Sequence, residues 1–437
     1  MEAAPIRQIG GRRGRMRSAA VFAACGLGFL LLRRMRVWLP YGVIKASVIG
    51  RPFVGALVVL AFVAVARLAN RGRRSRGHTK RQRRTSLAGM MGSALGALLL
   101  ATAAFVNSWF GYLPSVGSLL GQRAHDQASA ATVLGLERAS IERAALPPTP
   151  PAPSSVDQIP PPTVVTRRPH RAPARKAPAH GVVEKVAIPG ATSHFKARPA
   201  EIYLPAAWFA RPRPALPVVL LLHGTPGTPE DWSRAGEADV VADRWASLHG
   251  GLAPIIVMPD VNGSFFADTE CVDGAAGNAE TYLASDVPAW VVSHLGASPS
   301  RSAWAIVGSS EGGYCALDLG LRHADRFSVI ADFSGLATPT WPGGALKLFK
   351  GDQVALHDHL PLELLALPHR PPQVLFLSVG TADRGPMIDA ERVTAAARRA
   401  GLDVRLDLRR GQRHSWRMWH DSFGALFPTI AAAISKT

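Results

Sequence analysis

The hydrophobic positions of the chain follow two different patterns, one before residue 120 and one after residue 180. Three long apolar segments occupy the first part, at about 18–36, 52–69 and 87–110. The second part instead alternates short apolar runs with longer stretches in which apolar residues recur at helical spacing. Long apolar segments are typical of membrane helices, and short alternating ones of a folded α/β domain.

Eight short runs in the second part have the composition of buried strands, and five longer stretches separate most of them. The predicted strands are Val182–Ile188, Ala200–Leu204, Pro217–Leu222, Pro254–Met258, Ala303–Val307, Ser328–Phe333, Gln373–Val379 and Val404–Leu408. The predicted helices are Ala238–Leu248, Ala279–Leu295, Ser310–Arg322, Asp389–Arg399 and Trp419–Ile434. This alternation predicts an α/β fold for residues 181–437, with a mainly parallel sheet covered by helices on both faces.

Charge gives the membrane region, residues 1–120, a predicted orientation. The loop 67–84 holds nine Lys and Arg residues and no acidic residue, so the positive-inside rule places it in the cytoplasm. The segment 87–110 then runs outward, and the rest of the chain is predicted to be extracytoplasmic. Two or three transmembrane helices fit this pattern, because the first segment is short and ends in an arginine cluster.

The basic character of the chain belongs to this region alone. Residues 1–120 hold 19 Lys and Arg against one acidic residue, whereas residues 181–437 hold 23 against 26. The net charge of +19 is therefore no argument for a nucleic-acid partner. Between the two parts, residues 121–180 are rich in Pro and Ala, which predicts an extended linker that could hold a domain away from the membrane.

The pentapeptide Gly308-Ser309-Ser310-Glu311-Gly312 follows the predicted strand Ala303–Val307 and opens the next predicted helix. Strand, Gly-x-Ser-x-Gly and helix in this order form the nucleophile elbow of α/β-hydrolases. The two glycines leave room for a tight turn that lifts the serine hydroxyl above the sheet. The pattern therefore predicts Ser310 as a nucleophile.

Partners for that serine follow in the order that this fold requires. A serine hydroxyl needs a histidine base, and His414 lies in the loop after the last predicted strand. The alternatives are His420 and the pair His357 and His359. Asp383 follows another strand and would orient the imidazole, with Asp389 and Glu391 as alternatives and helix capping as the other interpretation of Asp383.

The loop His223-Gly224-Thr225 follows the strand Pro217–Leu222, at the usual position of an oxyanion loop. The backbone N–H groups of Thr225 and Glu311 are the predicted oxyanion donors, and His223 is expected to be structural. His357, Asp358 and His359 are expected to form an exposed loop, because no third ligand has matching spacing. No metal and no cofactor are predicted.

Residues 182–435 resemble the esterase D and antigen 85 mycolyltransferase family of α/β-hydrolases. The elbow carries the resemblance, together with Asn278–Leu283 running to Asp286–Trp290, and His414-Ser415-Trp416 with Trp419. It implies Ser310, His414 and Asp383 as the triad, and Thr225 and Glu311 as oxyanion donors. The mycolyltransferases have a glutamate at the position of Asp383 and Asp-Gly at that of His223-Gly224. These differences favour an esterase over acyl transfer to trehalose.

The three cysteines are consistent with a protein whose C-terminal part lies outside the cytoplasm. Cys25 lies in the first apolar segment, and Cys271 and Cys315 are the pair in the predicted catalytic region, residues 181–437. Outside the membrane this pair could form a disulfide, with two buried thiols as the alternative. Pocket residues are expected from 261–280 and 336–370.

The sequence thus predicts a multi-pass, membrane-anchored extracytoplasmic serine esterase that acts on ester, lipid or acyl substrates. An acyltransferase acting on a sugar or cell-envelope hydroxyl is the first alternative. A non-catalytic domain that binds cell-wall glycan or glycolipid is the second.

Overall fold

The computed structural model describes residues 102, 107, 111 and 112, followed by 178–368 and 371–435. The predicted membrane segments lie outside the described residues apart from positions 102 and 107, and so does the linker apart from 178–180. Among the residues described, no helix has both the length and the apolar character needed to cross a membrane.

The catalytic region is built on one mixed sheet. Its strands are β1 Val182–Val186, β2 Ala200–Leu204, β3 Val218–Leu222, β4 Ile255–Met258, β7 Trp304–Ser309, β8 Val329–Phe333, β9 Val374–Gly380 and β10 Asp403–Arg409. Two further short strands, β5 Asp273–Gly274 and β6 Gly277–Asn278, form a separate hairpin. All eight strands predicted from the sequence are present.

The eight-stranded sheet has the order β1-β2-β4-β3-β7-β8-β9-β10. β2 pairs antiparallel with β1 and β4, and every other pair is parallel. The central strands β3 and β7 are buried along their whole length, as expected for parallel strands with helices on both faces. The edge strand β10 is partly exposed and carries charged residues, which discourages pairing with another chain.

Helices cover both faces of the sheet. They are α1 Asp231–Arg234, α2 Ala238–Leu248, α3 Ala279–Thr281, α4 Val287–Leu295, α5 Glu311–Arg322, α6 Ala345–Leu348, α7 Gln353–His357, α8 Pro361–Leu364, α9 Arg384–Arg399 and α10 Trp416–Ile434. A π-helical turn, Tyr282–Asp286, joins α3 to α4 into the single stretch that the sequence predicts. On one face α4, α5 and α9 pack on the sheet, and on the other α2 and α10 do.

Two helices begin earlier than the sequence pattern predicts. α9 begins at Arg384 instead of Asp389, and α10 begins at Trp416 instead of Trp419. In α10 the Ser415 side chain accepts a hydrogen bond from the backbone N–H of Met418, which fixes the helix start. Both helices therefore start directly beside a predicted catalytic residue, Asp383 or His414.

Tyr112, which precedes the predicted linker, lies against the catalytic region. Its hydroxyl donates a hydrogen bond to Oδ1 of Asp231 at 2.5 Å, and its ring meets that of Trp416 edge to face at 6.4 Å between centroids. Burial, followed by the proximity of Asp231, raises the pKa of the Tyr112 hydroxyl well above its ordinary value.

Candidate active site

Ser310 stands on a strained turn between β7 and α5. Its backbone has φ 58° and ψ −124°, a conformation that side-chain-bearing residues rarely adopt and that costs about 1–3 kcal/mol. A Cβ at Gly308 would lie 1.9 Å from the carbonyl oxygen of Gly312, and a Cβ at Gly312 would lie 2.5 Å from that of His223. The turn therefore requires glycine at both positions.

The turn brings Ser310 to the predicted base and acid. Nε2 of His414 lies 2.8 Å from Oγ of Ser310, and Nδ1 of His414 lies 2.7 Å from Oδ2 of Asp383. With the proton on Nδ1 donated to the carboxylate, Nε2 is free to accept the serine proton. The three side chains thus form the hydrogen-bonded series that serine activation requires.

The residues considered as the alternative base and the alternative acids do not take part in this hydrogen-bonded series. His420 is in α10 and interacts with Glu237 and Asp421, and a hydrogen bond with Glu237 is the main cause that raises its pKa. Asp389 accepts a hydrogen bond from the backbone of Ala337, and Glu391 is exposed. Asp383 occupies the N-cap position of α9, but its side chain makes no capping hydrogen bond.

The oxyanion loop is packed directly against the elbow. A Cβ at Gly224 would lie 2.9 Å from Cβ of Ser310, so the next residue, Thr225, passes close to the nucleophile. Glu311 is the first residue of α5, where the N–H groups have no acceptor within the helix. Both predicted oxyanion donors therefore stand beside Ser310.

His223 supports this loop from inside the protein, as the sequence predicts for a structural residue. Its side chain is buried, Nδ1 lies 2.9 Å from the carbonyl oxygen of Gly224, and Nε2 lies 3.4 Å from Oδ1 of Asp260. Burial alone would raise the pKa of Asp260, but hydrogen bonds with His223 and Arg198 outweigh it and hold that pKa well below its ordinary value.

A cavity of about 310 Å³ opens beside the nucleophile. It is lined by Thr225, Asp268, Glu270, Ser310, Glu311, Tyr314, Ser334, Leu336, Thr338, Thr340, Asp383, Pro386 and His414. Both predicted pocket regions, 261–280 and 336–370, contribute to this lining. Most of the lining side chains are polar, and four of them are carboxyls.

Three of those carboxyls crowd together, and sequence reasoning did not single out their side chains. Burial, reinforced by Asp268, raises the pKa of Glu270 to about 7. Burial also raises the pKa of Asp268, and it raises that of Glu311 well above its ordinary value. Asp268 and Glu270 lie in an irregular loop, where no periodicity could have indicated that they face the pocket.

A further acid that the sequence analysis overlooked is Asp332, in β8. It is buried, and its Oδ1 accepts a hydrogen bond from the backbone N–H of Gly335 at 2.7 Å. Burial raises its pKa to about 7, and Asp389 and His414 act on it from nearby. A charged residue within the otherwise apolar run Ser328–Phe333 was the available signal.

The two cysteines of the catalytic region are joined. Cys271 and Cys315 form a disulfide with an S–S distance of 2.05 Å between residues 44 apart in sequence. Cys315 belongs to α5, so the bridge fastens the loop that carries Asp268 and Glu270 to the nucleophile helix.

The expectation of an exposed loop at His357–His359 is wrong for His359. That side chain is buried, with Nδ1 2.8 Å from Oδ2 of Asp318 and Nε2 3.5 Å from Oε2 of Glu280. His357 is exposed, as expected, but it is the last residue of α7 rather than part of a loop, and it pairs with Glu363. The cluster around His359 ties α8 and its preceding loop to α5, and within the described ranges no group of His, Cys, Asp and Glu has the arrangement of a metal site.

Curated relatives share part of this chain. A protein of Corynebacterium glutamicum, described as uncharacterized, is 32% identical over 250 residues, which are 55% of this chain and 58% of the relative. The MPT51 antigen of Mycobacterium leprae is 31% identical over 110 residues, 25% of this chain and 33% of that protein. The chain thus spans less than two thirds of the length of either relative.

Solved structures share the fold. A ferulic acid esterase superimposes with a TM-score of 0.50 and 19% identity, covering 58% of this chain and 98% of that one. An S-formylglutathione hydrolase from Agrobacterium tumefaciens gives a TM-score of 0.50 and 19% identity over 59% of this chain and 98% of that one. At this identity the likeness concerns the α/β-hydrolase fold alone.

The sequence model of the family described as "Putative esterase" matches residues 195–433, which contain every residue of the geometry described above. The match covers more than half of the chain. The chain therefore belongs to this esterase family of α/β-hydrolases.

Proposed function

We propose that this protein is a membrane-anchored serine esterase that cleaves carboxylic esters outside the cytoplasm through an acyl-enzyme on Ser310. The observation that carries the proposal is the series Asp383, His414, Ser310, with hydrogen bonds of 2.7 and 2.8 Å, built on a positive-φ elbow. Such a series raises the nucleophilicity of a serine hydroxyl, which is weak on its own.

The reaction follows from these positions. Nε2 of His414 takes the proton of Ser310 as Oγ bonds to the ester carbonyl carbon, and the backbone N–H groups of Thr225 and Glu311 stabilise the resulting oxyanion. Collapse of this intermediate breaks the bond to the alcohol oxygen, which leaves with the proton from His414. Water then repeats the sequence on the acyl-enzyme, and the carboxylic acid is released.

Labelling with a fluorophosphonate probe tests the proposal on the full-length protein. The wild type should be labelled, and Ser310→Ala should not. Ser309→Ala is the matched control, because Ser309 is the neighbouring serine and is fully buried. Absence of labelling in a folded wild type would contradict the proposal and favour a binding domain for cell-wall glycan or glycolipid.

Acyl transfer to a sugar or cell-envelope hydroxyl is the second candidate, favoured by the polar lining of the pocket. Thr338, Thr340 and Glu270 offer donors and acceptors suited to a hydroxylated acceptor. Product analysis decides between the two: with a sugar acceptor present, a transferase yields the acylated sugar, whereas an esterase yields only the free acid.

The membrane part of the proposal rests on the apolar segments and on the basic loop 67–84. In intact cells a membrane-impermeant fluorophosphonate should label Ser310, and the labelled protein should sediment with membranes. Labelling that required permeabilised cells would contradict the extracytoplasmic placement while leaving the esterase chemistry intact.

A further inference from the structure

The side chain of Glu311 makes contacts that the proposed reaction does not use, because only its backbone N–H belongs to the oxyanion hole. Its Oε2 contacts Oγ1 of Thr225 and lies 2.9 Å from Nδ2 of Asn262. Nδ2 of Asn262 also lies 2.5 Å from Oγ1 of Thr225. These three side chains form a triangle that joins the oxyanion loop, the loop after β4 and the start of α5.

Counting hydrogens in this triangle favours a protonated Glu311. Oγ1 of Thr225 has one hydrogen and two acceptors within reach, the carbonyl oxygen of Ala267 at 2.9 Å and Oε2 of Glu311. A protonated Glu311 satisfies both contacts, because it donates to Oγ1 of Thr225 while the Thr225 hydroxyl donates to Ala267. Oε1 of Glu311 is buried and receives no hydrogen bond from the described residues, which is costly for a carboxylate oxygen.

The charges around Glu311 act in the same direction. Burial is the main cause that raises its pKa; Asp268 and Glu270 raise it further, and hydrogen bonds with Thr225 and Asn262 offset only part of this. The other titratable side chains in the lining of this cavity are Tyr314, Asp383 and His414. The N-terminus of α5 favours an anion, but this effect is too small to outweigh full burial beside two other carboxyls.

We propose that the Glu311 side chain is a positioning residue for the oxyanion hole, which it serves as a neutral carboxylic acid by holding Thr225 and Asn262 in place. This inference rests on the proposed serine esterase function. An ionised Glu311 would set a negative charge next to the N–H groups that bind the oxyanion, and would weaken transition-state binding. The neutral acid supplies the same contacts without that charge.

The test compares full-length wild type with Glu311→Gln and Glu311→Ala, using p-nitrophenyl butyrate as the substrate. Gln keeps the shape and can donate to Oγ1 of Thr225 through its NH2 group, although it loses the hydrogen bond from Nδ2 of Asn262, and it cannot ionise; Ala removes the triangle. Glu311→Ala should lower kcat by about tenfold or more with KM changed by less than about threefold, as expected for a displaced oxyanion donor. Glu311→Gln should retain most of the activity.

The protonation state of the Glu311 carboxyl is measured separately, from the infrared difference spectrum of wild type minus Glu311→Gln. Near neutral pH the difference should contain the C=O band of a protonated carboxyl. As pH is raised until this band is lost, kcat/KM of the wild type should fall while that of Glu311→Gln stays level. Glu270→Gln is the control, because it removes a different titrating group from the same cavity and should leave the alkaline fall in place.

Three results would overturn the inference: no protonated-carboxyl band near neutral pH, a level wild-type profile across the pH at which the band is lost, or a Glu311→Ala variant within about twofold of wild-type kcat. If Glu311→Ala fails to fold, the band and the profile of Glu311→Gln still decide. A wild type without turnover or Ser310 labelling would instead refute the proposed function, so the two failures are distinguishable.

Discussion

Ser310, His414 and Asp383 each follow the carboxyl end of a different strand, β7, β10 and β9. The ends of parallel strands meet at one edge of the sheet, so three residues distant in sequence come within hydrogen-bond reach. This is why these positions could be predicted from the sequence. Asn262 and Glu270 could not, because they lie in an irregular loop whose course depends on the disulfide and on hydrogen bonds to distant residues.

Asp383→Asn tests the role of the acid. An amide cannot stabilise the charged imidazole and favours the wrong tautomer of His414, so kcat should fall by about 10³-fold or more with KM little changed. Steady-state hydrolysis of a p-nitrophenyl ester measures this. Asp389→Asn is the matched control in the same helix and should stay within about twofold of wild type; an equal loss in both variants would argue against a specific role for Asp383.

The raised pKa of Asp332 makes the free energy of unfolding depend on pH. Its folded-state pKa is raised to about 7, so between about pH 4 and 7 the folded protein holds a proton that the unfolded chain has lost. Stability from this group is therefore fully present below about pH 4 and is lost progressively as pH rises from about 4 to about 7. Asp332→Asn keeps an acceptor for Gly335 and removes the titration.

Chemical denaturation at about pH 5 and about pH 8 measures the effect. The Asn variant should gain stability over wild type at the higher pH and show a clearly smaller gain at the lower. Because Glu270 also titrates near 7, the comparison is made between variants rather than along one profile. An Asn variant that is no more stable at about pH 8 would contradict the prediction.

At the scale of elements, the sequence predicts long buried units better than short ones. The buried strands β3 and β4 are continuous apolar runs, and the sequence predicts all eight strands of the large sheet. The short helices α6, α7 and α8 were not, because four or five residues cannot show helical periodicity. They pack through contacts such as that of His359 with Asp318, which only the folded chain brings together.

The disulfide is the element that couples the pocket loop to α5. Cys271→Ala together with Cys315→Ala should lower the free energy of unfolding by about 2–4 kcal/mol, since the bridge restricts a loop of 44 residues in the unfolded chain. Denaturant unfolding of oxidised wild type, reduced wild type and the double variant measures it. Equal stability of all three would show that the bridge does not contribute.

For the whole molecule, the residues on either side of the predicted linker (121–180) show where the chain that flanks it is held. Tyr112 contacts Asp231 at one end, and at the other the backbone N–H of Gly181 donates to Oδ1 of Asp243 at 2.8 Å. Residues on both sides of the linker thus contact the same helical layer, α1 and α2. Contacts on both sides mean that the length of the linker alone does not give the distance between the catalytic region and residues 1–110.

Charge is the other property of the whole molecule that bears on function. The catalytic region carries an excess of acidic residues, and four carboxyls line the cavity with His414 as the sole basic side chain in that lining. An ester with a carboxylate on its acyl chain should therefore show a kcat/KM about tenfold or more below that of a neutral ester of equal length, because like charges repel strongly at a partly buried site.

The measured quantity is the kcat/KM of the neutral ester divided by that of the charged ester, because a change in His414 protonation affects both values equally. This ratio should become smaller in Glu270→Gln, which removes one of the negative charges. In the wild type the ratio should also become smaller as pH falls below about 7, where Glu270 takes up a proton. Higher salt should reduce it further by screening. A ratio near one, or a ratio that is unchanged in Glu270→Gln, would mean that the acyl chain extends from Ser310 in another direction and does not enter the carboxyl-lined cavity.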